Sequence, residues 1–288
     1  MISVIGIGDN VCDKYIHLNK MYPGGQALNF AVFSKMLGIN SAYMGVFGND
    51  KVGEHIITTL DKIGVDISHC RHFEGENGYA VVDLVQGERV FVKSNKGGVL
   101  RLNPLEFSTE DLEYLKNFQV IHTSNNSYID SQLETLASLG STLSYDFSTS
   151  WRDDQRTKDI CKHVNFAFMS CPNLNEEEIK NQLFIAHNFG TEIVVATRGN
   201  EGAIIYDGNM FFESKPKKVN AIDTLGAGDS FATTFLTSFI LDIGKDLGKE
   251  MDKNKYEGLV YICLDKANKI ASQTCMVFGA FGHGTNIS

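Results

Sequence analysis

Residues 223–231 read Asp-Thr-Leu-Gly-Ala-Gly-Asp-Ser-Phe and run straight into the apolar stretch FATTFLTSFILDIG over 231–244. That stretch carries apolar residues at helical spacing, so DTLGAGD becomes a loop feeding a helix start. Gly226 and Gly228 flank Ala227, which lets the backbone turn sharply and approach another group closely. At a helix start the amides of 226–228 point outward, and the helix dipole favours negative charge. Together these features describe an anion hole for a phosphoryl group in transfer. Asp229 comes next. A carboxylate there repels phosphate, but it suits a base that accepts a proton from an attacking hydroxyl. The competing reading is a plain loop–helix junction with Asp229 or Ser230 as N-cap. The lysine and following Ser/Thr of the GxxxxGK[ST] phosphate loop are absent, so this is not that loop.

Outward from this segment the text alternates between strand and helix. ISVIGIG (2–8) and SAYMGVFG (41–48) read as strands. ALNFAVFSKMLG (27–38) and DKVGEHIITTLDKIG (50–64) read as helices stopped by glycine. The rhythm changes over 77–95, where NGYAVVDLVQGERVFVKSN predicts a hairpin turning at Gln86, Gly87 and Glu88. With HLNK (17–20) it predicts a small separate sheet, a lid; an antiparallel edge of the main sheet is the alternative. Strands then recur at 118–124, 141–148, 165–171 and 191–199, with helical text at 128–140 and 175–190 and a meander over 200–215. The last helix is expected over 256–276. We expect one doubly wound α/β domain over 1–288, with lid strands within about 11–22 and 77–97 and ligands at the carboxyl ends of its strands.

A chain of 288 residues suffices for one large core. Its 26 basic and 35 acidic residues leave a formal charge of −9, which argues against nucleic acid as the main partner but not against a nucleotide. No apolar run reaches the length of a membrane span, and the opening shows no secretory leader, so a cytoplasmic protein is expected. The six cysteines, Cys12, Cys70, Cys161, Cys171, Cys263 and Cys275, form no CxxC pair and read as reduced. The eight histidines show no HExxH spacing.

IDTLGAGDSF (222–231) closely resembles the C-terminal signature of the ribokinase-like carbohydrate kinases, the PfkB family. PGGQALNFAVF (23–33) is similar to the N-terminal signature of that family, two glycines followed by asparagine and a helix. NLNE (173–176) resembles its Asn-x-x-Glu motif, and TRGNEGA (197–203) its TxGxxG segment. The resemblance covers nearly the whole chain. It implies a ribokinase-like three-layer α/β/α core with a small β-sheet lid, and ATP-dependent phosphorylation of a primary hydroxyl on a sugar-like substrate with Mg2+. It makes Asp229 the base and Gly226, Ala227 and Gly228 the anion hole. It places Asp13, Gly25 and Asn29 on the sugar, with Gly24 shaping the turn. Asn173, Thr197, Gly199, Gly202 and Asn268 fall on the nucleotide side, and Glu176 reaches Mg2+ through water. Some relatives bind a monovalent cation such as K+ beside the anion hole, and Asp223 resembles a ligand of that site.

Within the family, IGDNVCD (7–13), GERVF (87–91) with Arg89 on the substrate side, and SYDFS (144–148) look closest to fructoselysine 6-kinases. Gln26 departs from the lysine or asparagine often found there. Other acceptors such as fructose, ribose, 2-keto-3-deoxygluconate or a nucleoside are the alternative within the family. A non-catalytic sugar-binding regulator is the alternative of another class, and a dinucleotide oxidoreductase lacks its full GxGxxG after the first strand. A small exposed sheet has edges to cover, so a homodimer through the lid is expected, with a monomer carrying a short lid as the alternative.

Overall fold

The computed structural model describes residues 2–85, 88–244 and 251–287, without the side chains of 84–91. Gln86 and Gly87 at the expected hairpin turn, and the side chain of Arg89, therefore lie outside the described residues.

The first half runs β1 (Ser3–Gly8), β2 (Val11–Tyr15), β3 (Lys20–Gly24), α1 (Gln26–Met36), β4 (Asn40–Gly48), α2 (Lys51–Ile63), β5 (Arg71–Phe73), β6 (Tyr79–Val85), β7 (Glu88–Ser94), α3 (Val99–Leu102) and α4 (Thr109–Leu115). The second half runs β8 (Val120–Ser124), α5 (Leu133–Ala137), β9 (Thr142–Asp146), α6 (Asp154–Cys161), β10 (Phe166–Ser170), α7 (Glu176–Asn188), β11 (Ile193–Thr197), β12 (Ala203–Tyr206), β13 (Phe211–Ser214), α8 (Ala227–Asp242), α9 (Lys253–Thr274) and β14 (Thr285–Asn286).

A nine-stranded sheet has the order β13-β12-β11-β10-β9-β8-β1-β4-β5. It is parallel from β11 to β5, and β12 and β13 close one edge antiparallel. Strands β8 and β9 are buried along their whole length, as parallel strands covered on both faces must be. Alternate residues serve opposite faces. Ile5, Ile121, Leu143 and Ala167 pack with Leu115, Leu133, Ile160 and Leu183 of α4 to α7. Val4, Val120, Phe166 and Phe168 pack with Phe30 of α1, Phe231, Phe235 and Phe239 of α8, and Leu264 of α9. The result is a three-layer α/β/α core. Each buried phenylalanine of α8 contributes about 1.5–3 kcal/mol. The helix is therefore anchored along its length, which leaves its first turn available for chemistry.

A separate five-stranded sheet has the order β14-β3-β2-β6-β7. Strands β2 and β6 pair parallel and the others antiparallel. An asparagine relay ties this sheet to the main body: Asn77 Nδ2 donates to Asn10 Oδ1 at 2.8 Å, and Asn95 Nδ2 donates to the Asn77 carbonyl at 2.8 Å.

Several boundaries differ from the sequence reading. Helix α8 starts at Ala227, four residues before the apolar stretch, because Gly226 caps it in a left-handed conformation at φ +73°. Gly228 and Asp229 thus lie inside its first turn. The 191–199 strand stops at Thr197, where the chain turns through Gly199 at φ +59°. The helix expected over 128–140 shrinks to α5 and a preceding 3-10 turn, since Tyr128 sits at φ +57°.

Candidate active site

Sheet order reverses about β1, which lies between β8 and β4, and the carboxyl ends of these strands open the crevice where doubly wound sheets take ligands. Asp9 follows β1 directly. Its carboxylate accepts from the amides of Gln26 at 2.8 Å and Ala27 at 3.0 Å, the first two residues of α1. Gly25, the N-cap, has no side chain to do this, so Asp9 from the loop after β1 caps the helix instead. Ser124 Oγ, at the end of β8, donates to the same carboxylate at 2.8 Å. Gly25 itself sits at φ +114°, and a Cβ there would stand 2.7 Å from the Asp9 carbonyl oxygen. Only glycine fits that approach.

With α1 fixed, Asn29 projects from its first turn toward α8. Its Nδ2 donates to Asp229 Oδ2 at 2.5 Å. The Asn29 side chain is buried, and its Oδ1 has no hydrogen-bond partner. Asp13 on β2 is buried close by. A Cβ on Gly24 would stand 2.9 Å from Asp13 Oδ2 and 3.9 Å from Asn29 Oδ1. Asp13, Gly24, Asn29 and Asp229 therefore converge from the second sheet, α1 and α8.

The first intrahelical bond of α8 runs from the Ser230 amide to the Gly226 carbonyl at 2.8 Å. The amides before it have no intrahelical acceptor. A Cβ on Gly228 would meet no heavy atom within 4 Å, so open space lies over this turn. The loop before it is held by Asp223, which accepts from Tyr15 Oη at 2.6 Å, Gly279 N at 2.9 Å and Leu225 N at 3.0 Å. Asp223 thus links the loop before α8 to β2 and to the C-terminal segment.

Burial pushes the Asp229 carboxyl up to about 6, with the Asn29 hydrogen bond opposing and the charge of Asp9 adding to the rise. Burial, then the charge of Asp229, pushes Asp146 at the end of β9 up to about 7, against hydrogen bonds from the Ser148 amide and Gln26. Gln26 in turn accepts from Asn126 Nδ2 at 3.1 Å. Asp9, Asp146 and Asp229 therefore lie close enough for one charge to act on another. Sequence reading passed over Asp9 and Asp146. Asp9 shares the GDNVCD stretch with Asp13, and Asp146 ends the SYDFS strand, but their partners lie far along the chain.

The remaining expected residues lie toward β10 to β13. Asn173 is exposed at φ +67° just before α7, and Glu176 is exposed in its first turn. Glu176 Oε1 accepts from Lys180 Nζ at 2.6 Å, which holds its carboxyl below the usual range. Thr197 ends β11, and Gly199 borders open space. Gly202, at φ +92°, packs on the Ser214 carbonyl, and buried Asn268 of α9 donates to Ser214 Oγ at 2.8 Å. Among the described residues no three His, Cys, Asp or Glu side chains are grouped to hold a metal ion. Trp151 donates to the Ser170 carbonyl at 2.8 Å and is structural, and all six cysteines are free.

Comparison with known proteins agrees with this geometry. The description "pfkB family carbohydrate kinase" matches residues 1–280. The fructosamine kinase FrlD of Bacillus subtilis (strain 168) is 38% identical over 284 residues, 98% of this chain and 94% of that protein. The fructoselysine 6-kinase of Escherichia coli (strain K12) is 33% identical over 236 residues, 82% of this chain and 88% of that protein. Among solved structures, a fructokinase with bound ATP from Xylella fastidiosa superposes with a TM-score of 0.77 at 16% identity, covering 98% of this chain and 94% of its own. An Arabidopsis thaliana ribokinase complexed with ribose and ATP superposes with a TM-score of 0.75 at 18% identity, covering 98% and 94%. The fold is ribokinase-like, and the chain belongs to the pfkB family of carbohydrate kinases.

Proposed function

We propose that the protein transfers the γ-phosphoryl group of ATP to the primary 6-hydroxyl of a sugar–amine adduct, with fructoselysine the leading acceptor. The observation that carries this reading is Asp229, a half-buried carboxylate in the first turn of a helix that opens on space at Gly228, oriented by Asn29 at 2.5 Å. The acceptor class comes from the fructosamine and fructoselysine kinases among the relatives. ATP comes from the chemistry of the helix start and from the ATP-bound structural neighbour.

Asp13 and Asn29 hold sugar hydroxyls, and the unpartnered Asn29 Oδ1 accepts from one of them. This turns the primary alcohol toward Asp229, which takes its proton as the oxygen attacks in line. The amides at 226–228 receive the charge that develops on the transferred group. Mg2+ bound with ATP would supply charge neutralisation at the phosphate oxygens, and Glu176 would hold it through its water shell. Asn173, Thr197, Gly199, Gly202 and Asn268 border the nucleotide. The second sheet closes over the sugar, which excludes water as a competing acceptor.

The finer parts of the proposal are K+ beside Asp223, a dimer through the edge strands β7 and β14, and a reducing, cytoplasmic setting for the six free cysteines. Turnover in K+ against Na+ and the sedimentation mass test the first two. The reading as a whole is tested by ADP release with purified protein and MgATP against fructoselysine, fructose, ribose, 2-keto-3-deoxygluconate and nucleosides. Fructoselysine should give the highest kcat/KM. A higher value for another acceptor contradicts the substrate, and no turnover with any contradicts the kinase reading.

A further inference from the structure

Arg198 follows β11 immediately, at the carboxyl edge of the sheet and inside TRGNEGA. Its side chain is only 9% exposed, yet Nε and Nη2 have no hydrogen-bond partner. The closest acid is Glu213, whose Oε2 lies 4.0 Å from Nη2, beyond hydrogen-bonding distance. Glu213 is already engaged by Lys180 at 2.9 Å, and Lys180 also holds Glu176 at 2.6 Å. A guanidinium presents its donors in a rigid planar fork, and burying them without acceptors is costly unless a ligand supplies the acceptors.

Location narrows the ligand. Register pairs Thr197 with Ala203 and Ala196 with Ile204, and Ile204 with Glu213, so Arg198 continues the sheet face of Ala196, Ile204 and Glu213, under α7. The next residue, Gly199, has no heavy atom within 4 Å of where a Cβ would stand, so the chain beside the guanidinium borders open space. A phosphate oxygen presents lone pairs that a guanidinium fork can meet with two donors. Lys180, by contrast, is occupied by two carboxylates.

We propose that Arg198 is a phosphate-binding residue, whose unpartnered Nε and Nη2 donate to a phosphate oxygen of the bound nucleotide. The inference rests on the kinase reading for the identity of the anion, but its test does not depend on turnover. Calorimetry with MgATP and, separately, with adenosine is run on the wild type, Arg198→Met, Arg198→Lys and Glu213→Gln, alongside thermal melting. Arg198→Met should weaken MgATP at least tenfold and leave adenosine within twofold, with an unchanged or higher melting temperature because a poorly paired buried charge is gone. Arg198→Lys should fall between the two, keeping the charge without the fork. Glu213→Gln should leave MgATP affinity within twofold. Equal losses for MgATP and adenosine, or an unchanged MgATP affinity in Arg198→Met, would overturn the inference. So would a Glu213→Gln variant that reproduces the loss, since Arg198 would then act through Glu213. Should Arg198→Met fail to fold, Arg198→Lys decides: full MgATP affinity there overturns the bidentate contact. A wild type that binds MgATP but turns over no acceptor counts against the kinase reading alone.

Discussion

Asn29 and Asp229 stand 200 residues apart in sequence, and their side chains meet at 2.5 Å. The contact joins the first turn of α1 to the first turn of α8. Both turns depend on glycine N-caps, Gly25 and Gly226, which offer no side chain of their own. Asp9 supplies the missing cap at α1, while the first turn of α8 stays open above Gly228. One helix start is thus closed by protein, and the other borders open space.

The environment of Asp229 sets a pH dependence. A base must be ionised, and this carboxyl is pushed up to about 6. The rate should therefore fall tenfold per pH unit below about pH 6, whereas an ordinary aspartate would sustain it to about pH 4. Asp146→Asn should leave this limb in place, because burial and Asp9 raise Asp229 and Asp146 is the member of the pair that stays protonated there. Asn29→Ala removes the hydrogen bond that favours the carboxylate and should move it higher. A profile of kcat/KM from pH 4.5 to 8.5 reads all three.

The same shifts carry a stability consequence. The folded values of Asp229 and Asp146 lie above that of an unfolded aspartate. Their contribution is therefore fully present below about pH 4 and is lost as pH rises through about 6–7. At pH 7.5 both charges cost stability. Asp146→Asn should raise stability by roughly 1–2 kcal/mol there and by nearly nothing at pH 4, read by denaturant melts at the two pH values.

Two glycines at the start of α8 should respond differently. A Cβ on Gly226 would lie 2.5 Å from the Ala280 Cβ, at a φ of +73°. Gly226→Ala should cost about 2–3 kcal/mol as well as activity. Gly228→Ala meets no protein atom within 4 Å. It should leave the melting temperature unchanged or slightly raised and lower kcat at least tenfold, because the methyl enters the space proposed for the phosphoryl group.

Tyr15→Phe removes one of the donors to Asp223 and with it a tie between β2 and the loop before α8. It should cost about 1.5–3 kcal/mol in a denaturant melt. It should lower kcat more than it raises KM for the acceptor.

Much of this molecule was legible in its sequence. The strand–helix alternation, the glycine stops at Gly38 and Gly64, and the departure in rhythm at 77–95 follow from local periodicity, which acts within a few residues. DTLGAGD could be read as an anion site because loop, helix start and acid are contiguous. Asp9 could not be singled out, because its meaning lies in Ser124 and Ser127, 115 and 118 residues away. Asp146 became prominent only once folding set it against Asp229 and Asp9. The start of α8 was placed late because hydrophobic spacing marks the buried part of a helix, and its first turn faces the cleft. Strand β14, two residues long, owes its existence to β3 rather than to its own composition.

The most direct test of the account compares ADP release from MgATP with fructoselysine by the wild type and by Asp229→Asn at pH 7.5. The account predicts wild-type turnover and a loss of about 10²–10⁴-fold in kcat for the variant, with its melting temperature equal or higher because a buried charge has been removed. A variant that retains more than a tenth of wild-type kcat would contradict the assignment of Asp229 as the base.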